Sequence, residues 1–191
     1  MNLFLRIVIV WFKALFKRRI GFLEAYQTNF SVWWTDQDML RHVTNSRFFS
    51  LTDVCIIDYF LRARVWRALN EHKWFPLIVY EDMHFLKPLR HPHKFSVHSQ
   101  FLGWDNDRIV ASHRFVRGDG VLIATGYTVA RFVDVKGKAV PVPVVADALK
   151  ASASPQLSLE AIAVLERSKA AMLVASTGAA SLVGSSSLGS A

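Results

Sequence analysis

Hydrophobic residues dominate the first sixteen positions of the chain and recur there with the 3.6-residue period of an α-helix. Three cations, Arg6, Lys13 and Lys17, share one narrow sector of the helical wheel. The opposite sector holds large apolar residues, namely Phe4, Val8, Trp11, Phe12 and Leu15. The run is shorter than the ~20 apolar residues of a spanning helix, and it lacks the order of a signal peptide. Two alternatives fit it: an interfacial helix on anionic lipid, or a helix docked on the domain or its dimer partner.

The apolar period then changes to two, because Tyr26 to Val32 alternate between apolar or hydroxyl-bearing and polar side chains. This alternation predicts a half-buried strand. A turn-like stretch at 34–38 follows. From about 46 to 69, apolar residues recur at steps of three and four, which predicts one long helix with Ser46 or Asn45 as its N-cap.

Four more strands, joined by short turns, are predicted between Pro76 and Asp134. They cover residues 77–86, 95–101, 108–117 and 121–134. The short connections favour antiparallel neighbours, since parallel strands need long crossovers. One strand, one long apolar helix and four consecutive strands predict an α+β fold, in which an antiparallel sheet of about five strands wraps round one central helix.

The composition changes again towards the C-terminus. Residues 158–175 carry a helical pattern, whereas 176–191 are dominated by Ser, Gly and Ala and predict a flexible tail. We therefore divide the chain into an N-terminal helix (1–20), a central domain (21–145) and C-terminal helix plus tail (146–191).

Composition and charge exclude several function classes. The single cysteine, Cys55, forms no intrachain disulfide, and its apolar setting predicts a buried thiol. The net charge is +8, but five cations and no acidic residue fall within the first nineteen positions. The excess positive charge thus belongs to the N-terminus and not to a broad basic face, which argues against nucleic acid as a partner.

The densest group of reactive side chains lies at the predicted strand-to-helix junction, over residues 36–45. A carboxylate near a helix N-terminus is stabilised by free backbone N–H groups, and the same groups can hold the oxyanion of an attacked thioester. Asp38 is therefore a candidate base or nucleophile. Asp and Asn at such a junction also serve as helix caps, and the spacing alone leaves both interpretations open.

The stretch from Trp34 to Phe48 (WTDQDMLRHVTNSRF) resembles the signature D-x-D-x-x-G-H-V/M-N-N-x-x-Y of 4-hydroxybenzoyl-CoA-thioesterase-like hotdog proteins. Later segments are similar to the thioesterase-like branch of that family and follow in the expected order: FLKPL (85–89), LGWD (102–105), HRFVRGDG (113–120) and ARFVD (130–134). The likeness covers approximately residues 22–145. It implies the hotdog fold and a homodimer, or a dimer of dimers, whose sheets join edge to edge with acyl-CoA along the subunit interface.

Within this resemblance, Asp38 matches the catalytic aspartate, which acts as general base or nucleophile, and Asp36 matches a structural one. His42 and Asn45 match motif positions and are expected to position the substrate carbonyl, water or Asp38. The chain departs from the signature at three positions, with Arg41 for the usual glycine, Thr44 for the first asparagine and Phe48 for the tyrosine. The change at position 41 puts the oxyanion contribution of that backbone in doubt.

Arginine recognises phosphate with paired hydrogen bonds, so Arg108 and Arg114 are candidates for binding the CoA phosphates. His91 and His93 lack a third ligand nearby, and we expect no metal. No organic cofactor is expected either, since CoA is part of the substrate.

These observations predict a cytoplasmic acyl-CoA thioesterase of lipid metabolism that hydrolyses an acyl-CoA to free acid and CoA. The alternative is a non-catalytic acyl-CoA or lipid-binding hotdog protein at the membrane surface. The basic apolar segment 1–20 motivates that alternative and suggests a peripheral position at the inner membrane. The acyl chain is not specified by the sequence.

Overall fold

The computed structural model describes residues 2–151 and 153–186, and the side chains of 3–151 and 153–175. Its helices are α1 (Asn2–Phe16), α2 (Asn45–Arg62), α3 (Val65–His72), α4 (Val142–Ala148) and α5 (Leu159–Ser186). Its strands are β1 (Tyr26–Ser31), β2 (Trp74–Phe85), β3 (Lys94–Trp104), β4 (Ile109–Arg117), β5 (Leu122–Asp134) and the two-residue β6 (Ala139–Val140).

The strands form one antiparallel sheet in the order β1-β3-β4-β5-β2, and β6 extends it beside β5. Side chains alternate across β1, so Tyr26, Thr28 and Phe30 are buried and the residues between them are exposed. The central helix α2 packs against this inner face through Val54, Cys55 and other fully buried residues. The predicted α+β architecture of a sheet wrapped round a helix is thereby confirmed.

The central helix differs from its prediction at both ends. It begins at Asn45 with Thr44 as its N-cap, which makes no side-chain capping bond, so neither predicted cap residue holds that position. It ends at Arg62, because Arg64 takes a left-handed conformation with φ of 57° and starts the separate helix α3. Periodicity did not reveal this break, since the apolar spacing continues through it.

A third layer covers the outer face of the sheet. Ala161, Val164 and Leu165 of α5 pack on Val110 and Val129 of the two middle strands. The helix continues past 175 into the segment for which a tail is predicted, where alanine favours helix. Residues 187–191 of that predicted tail lie outside the described residues.

The N-terminal helix α1 is docked on the domain through a face that combines apolar residues with part of its polar sector. Val10 and Ala14 are buried, and so is Arg6, which is only 4% exposed. Lys17 forms an ion pair of 2.8 Å with Asp58, a fully buried residue of α2. Two of the three cations that define the polar sector therefore bind the protein itself. Within the described residues, every helix is too short or too polar to span a bilayer.

The buried thiol predicted at position 55 is confirmed. Cys55 is fully buried, and this burial raises the pKa of its thiol. A second buried titratable group, His113 of β4, was not singled out from the sequence. Its Nδ1 lies 2.8 Å from the hydroxyl of Ser99, while its Nε2 has no partner among the described residues. Burial lowers the pKa of His113 to about 4.

This histidine predicts a pH dependence of stability. Between pH 6.5, the ordinary pKa of histidine, and pH 4, the unfolded chain binds a proton that the folded chain refuses. The free energy of unfolding should therefore fall as the pH falls through this window, by about 3 kcal/mol for this residue. Urea unfolding at closely spaced pH values should show His113→Asn losing that part of the slope. His98→Asn, at an exposed neighbouring position, is the control and should keep the wild-type pH dependence. If the free energy of unfolding depends on pH equally in wild type and in His113→Asn, the assignment is contradicted.

Candidate active site

The segment between β1 and α2 is anchored by a buried carboxylate, Asp36, which is 2% exposed. Its Oδ2 accepts hydrogen bonds from the backbone N–H of Trp33 (2.8 Å) and from the guanidinium of Arg6 (2.5 Å). Arg47 of α2 approaches its other oxygen at 3.8 Å. One side chain therefore connects α1, the loop after β1 and the first turn of α2.

Asp38 lies two residues further on and is exposed. Its backbone N–H donates to the carbonyl of His42 (2.9 Å), which closes a tight loop. Its Oδ1 accepts hydrogen bonds from the N–H groups of Leu40 (2.9 Å) and His42 (3.1 Å). These bonds fix the orientation of the carboxylate, while Oδ2 has no hydrogen-bond partner among the described residues. A fixed carboxylate with one free oxygen is equipped to take a proton or to attack a carbonyl carbon.

Asp38 borders a cavity of about 300 Å³ at the end of β2. The cavity brings together three of the site residues predicted from the sequence: Asp38, His42 and Asn45. Its remaining walls are Val43, Phe48, Phe85, Leu86, Lys87, Pro88 and Leu89. The sequence reasoning missed the residues from Phe85 to Leu89 as cavity walls. The FLKPL segment (85–89), which starts at the last residue of β2, is the sequence feature that could have identified these residues as cavity walls.

The helix N-terminus opens onto this cavity, but not at Asp38. Helix α2 begins at Asn45, seven positions after Asp38, so the expectation that Asp38 itself stands at the start of the helix is wrong. The reason is the loop closed between Gln37 and Val43, which form an isolated antiparallel bridge. The N–H groups of Asn45 and Ser46 precede the first intrahelical bonds and belong to the donors that a helix leaves free at its start.

His42 is held by a second contact at the same cavity. Its Nε2 accepts a hydrogen bond from the guanidinium of Arg90, with 2.5 Å between the nitrogens. This contact orients the imidazole ring relative to Asp38, whose carboxylate binds the backbone N–H of the same residue. His42 and Asp38 are therefore joined through the backbone N–H of His42, and each is held by a further hydrogen bond.

Arg41 has a backbone φ of 59°, which lies in the left-handed region. Glycine adopts that region without steric cost, whereas a residue with a Cβ pays roughly 1–2 kcal/mol. This geometry accounts for the glycine that the hotdog signature has at the corresponding position. The loop keeps the turn despite the substitution, because Asp38 accepts the N–H of Arg41 through its carbonyl (3.0 Å) and the exposed Arg41 side chain meets no obstacle.

The two predicted phosphate-binding arginines lie elsewhere. Arg108 donates to the hydroxyl of Ser168 on α5 at 2.6 Å, and Arg114 is exposed on β4. Neither lines the cavity at Asp38. Their role in binding CoA phosphates stays a prediction.

A second cavity, of about 250 Å³ and almost wholly apolar, lies between α2 and the first half of β2. Its few polar lining residues are Asp53 and Thr128. Glu81 lies beside it and accepts a hydrogen bond from the Thr128 hydroxyl (3.1 Å). Burial raises the pKa of both carboxyls, and the charge of Asp53 raises the pKa of Glu81 further. Both cavities thus lie along the same strand, β2.

Comparison with protein families decides the class of the chain. Residues 32–152 match the model of the thioesterase-like superfamily, and this match spans the central helix α2, strands β2 to β6 and the cavity at Asp38. The chain belongs to the thioesterase-like superfamily. The prediction of the thioesterase class is thereby confirmed. No curated protein sequence matches the chain.

Solved structures confirm the hotdog fold. A probable thioesterase from Escherichia coli superposes with a TM-score of 0.62 at 16% identity, over 65% of this chain and 96% of that one. A DHNA-CoA thioesterase from Staphylococcus aureus gives a TM-score of 0.58 at 14% identity, over 66% and 89% of the two chains. A 4-hydroxybenzoyl-CoA thioesterase, solved as an aspartate-to-asparagine mutant with 4-hydroxybenzoyl-CoA, gives 0.59 at 16%, over 66% and 96%.

The strained backbone at Arg41 gives a test of the loop geometry. Arg41→Gly should raise the free energy of unfolding by up to about 1 kcal/mol, since the relief of left-handed strain exceeds the entropy that glycine adds to the unfolded chain. Arg114→Gly, at an exposed strand position, should lower it by about 0.5–1 kcal/mol. Urea unfolding measures both. A destabilised Arg41→Gly would show that the residue is not strained.

Proposed function

We propose that the protein is an acyl-CoA thioesterase in which Asp38 is the catalytic carboxylate. The observation that carries this proposal is the free Oδ2 of Asp38, held by two backbone N–H bonds at a cavity onto which α2 opens its N-terminus. A reactive carboxylate next to unpaired N–H donors is the minimum equipment for attack on a thioester.

Two routes use this arrangement. In the first, Asp38 takes a proton from water, the hydroxide attacks the carbonyl carbon, and the C–S bond breaks to give the acid and CoA thiolate. In the second, Asp38 attacks the carbon directly, CoA thiolate leaves, and water then cleaves the acyl-aspartate anhydride. In both, we propose that the N–H groups at the start of α2, those of Asn45 and Ser46, stabilise the oxyanion, and that His42 and Asn45 orient the carbonyl or the water.

The family and the matched structures support the substrate class. One of those structures is an aspartate-to-asparagine mutant of a thioesterase with its CoA ester bound. We propose a CoA thioester for this chain as well, with Arg108 and Arg114 as proposed partners of the CoA phosphates and a cytoplasmic location. The reaction as proposed draws on neither a metal nor an organic cofactor.

We further propose that the active form is a homodimer joined along β2. This twelve-residue strand pairs with β5 on one side only, and its other edge has no strand partner among the described residues. Large apolar residues on the strand and just after it are exposed, namely Phe75, Leu77, Ile78, Phe85 and Leu86. A long apolar edge left in water is an aggregation hazard, and pairing with a second β2 would remove it. Both cavities lie along this strand and would be closed by the same contact.

The catalytic assignment predicts the behaviour of Asp38→Asn. Release of CoA from a panel of acyl-CoAs should fall by about 10²–10⁴-fold, because the amide neither accepts the proton nor attacks the carbonyl. Binding of acyl-CoA should persist, since the amide oxygen keeps the hydrogen bonds from Leu40 and His42. Asp107→Asn, an exposed aspartate outside the cavity, is the matched control. Equal turnover by Asp38→Asn and wild type would refute the role of Asp38, and tight binding without turnover by wild type would favour the non-catalytic alternative.

The dimer predicts the effect of charge on the β2 edge. Leu77→Lys places a charge from each protomer in the apolar edge of the proposed pair, so sedimentation equilibrium should give half the wild-type mass. Turnover should fall with it, because the cavities lose one wall. Val135→Lys, at an exposed turn position, should change neither. A wild-type protein that sediments as a monomer with full turnover would rule the dimer out.

A further inference from the structure

Part of the polar sector of α1 is buried beside Val10 and Ala14, which differs from the docking of an ordinary surface helix. Such a helix buries its apolar stripe and exposes its charges. Here Arg6 and Lys17 face the domain, where they pair with Asp36 and Asp58 at 2.5 and 2.8 Å. An interfacial helix on anionic lipid would turn these cations towards the lipid headgroups. That expectation is wrong for Arg6 and Lys17, because both face the domain.

The outward face of α1 carries large apolar residues along its whole length, with the exposed Lys13 at its margin. Its exposed members are Phe4, Leu5, Trp11, Phe12, Leu15 and Phe16. They repeat at the spacing of one helical stripe and include the 88% exposed Phe16 and the 72% exposed Phe4. Three of the six are phenylalanine and one is tryptophan, so the stripe carries a large aromatic area. A continuous stripe of this size marks an interaction surface.

Positive charge borders this stripe on one side. A groove of about 650 Å³ lies between α1 and the ends of β1, β3 and β4, and Ile9 and Lys13 form its margin on the helix. Lys94 and Arg117 stand on its opposite wall, and none of the residues that line it is acidic. Arg117 pairs with Asp119, whereas Lys13 and Lys94 contact no carboxylate among the described residues.

We infer that α1 seats the protein on an anionic bilayer, with the apolar stripe at the boundary between headgroups and acyl chains and the groove cations against lipid phosphates. The charge distribution selects this occupant. Lys13 and Lys94 border the stripe and its groove without a carboxylate partner among the described residues, so a second copy seated on the stripe would bring these like charges together. Aromatic and aliphatic residues beside lysine are the side chains that partition into the interface of an anionic membrane.

The ion pair between Arg6 and Asp36 connects this surface to the cavity. Arg6 also donates to the carbonyl of Ser31 (3.1 Å) and stacks on the ring of Trp33 at 4.3 Å. The bilayer-facing helix therefore holds the loop that carries Asp38, so docking orients the cavity relative to the lipid surface. The membrane contact does not depend on hydrolysis, so vesicle binding tests it independently of the proposed function.

Co-sedimentation of the full chain with vesicles tests the inference. We expect wild type to bind vesicles of equal parts phosphatidylcholine and phosphatidylglycerol, and to bind pure phosphatidylcholine more weakly. The double variant Trp11→Glu, Phe12→Glu should lose about tenfold or more in partitioning to both. Lys13→Gln should lose about fivefold on the anionic vesicles only. The double variant Trp66→Glu, Leu159→Glu, which charges two exposed apolar residues elsewhere, should bind as wild type does.

A second readout locates the contact without relying on a loss of binding. Trp11→Phe keeps the stripe apolar, so binding should persist while the quenching of tryptophan fluorescence by brominated lipid falls. Unaltered quenching in Trp11→Phe would overturn the placement of α1. So would a wild type that binds neither vesicle. An assembly mass that falls in the Trp11→Glu, Phe12→Glu variant without any vesicle binding would assign the stripe to a second copy and overturn the inference. Equal unfolding midpoints of the variants and wild type show that each variant is folded.

Discussion

The pairing of Arg6 with Asp36 is the interaction on which the candidate site depends. Both side chains are almost fully buried, at 5% and 3% exposure. A buried carboxylate without its cation is costly, and removal of one partner from such a pair typically destabilises a protein by about 3–5 kcal/mol. The pair therefore fixes where the loop after β1 runs, because Asp36 must stay where the guanidinium and the N–H of Trp33 meet it. The position of Asp38 follows from that of Asp36.

Asp36 and Asp38, separated by one residue, thus lie in different environments. The backbone at Gln37 is extended, with φ of −96° and ψ of 150°, which turns Asp36 and Asp38 to opposite sides of the chain. The inward one uses its oxygens to hold structure. The outward one keeps one oxygen unengaged at the cavity. A D-x-D spacing on an extended segment therefore supplies a structural and a chemical carboxylate from one short stretch.

Periodicity in the sequence predicted the sheet and the helix that it wraps, since alternation and three-to-four spacing both follow from burial of one face. It did not predict the break at Arg64, because a left-handed residue leaves no mark on apolar spacing. The expectation that Asp38 stands at the helix start was wrong, because six residues of loop (39–44) intervene. That loop is closed by backbone hydrogen bonds that join Asp38 to Arg41 and His42, which any residue type other than proline can make. Its one sequence signal is position 41, where a glycine is usual in the signature.

The sequence could not predict which sector of α1 packs against the domain. The reason lies in residues outside the helix. A helical wheel separates two sectors but does not say which one meets the domain. Here the choice rests on Asp36 and Asp58, which are distant in sequence, are buried, and pair with Arg6 and Lys17 of α1. Their need for cations draws the polar sector inward and leaves the apolar stripe outside. The Arg6–Asp36 pair that holds the loop carrying Asp38 therefore also helps to determine which face of α1 is exposed.

Three surfaces of the sheet differ in whether a second copy of the chain could pack on them: the outer face, the groove beside β1 and the edge of β2. This difference limits how copies of the chain assemble. Helix α5 occupies the outer face through Val164 and Leu165, so that face offers no sheet surface to another protomer. The groove beside β1 is bordered by lysines, which oppose a second copy of the same charge. The edge of β2 is apolar and unpaired among the described residues, and both cavities open along it. The edge best suited to a partner is thus also the one whose pairing would enclose the substrate, so assembly and formation of the site are linked in the proposed enzyme.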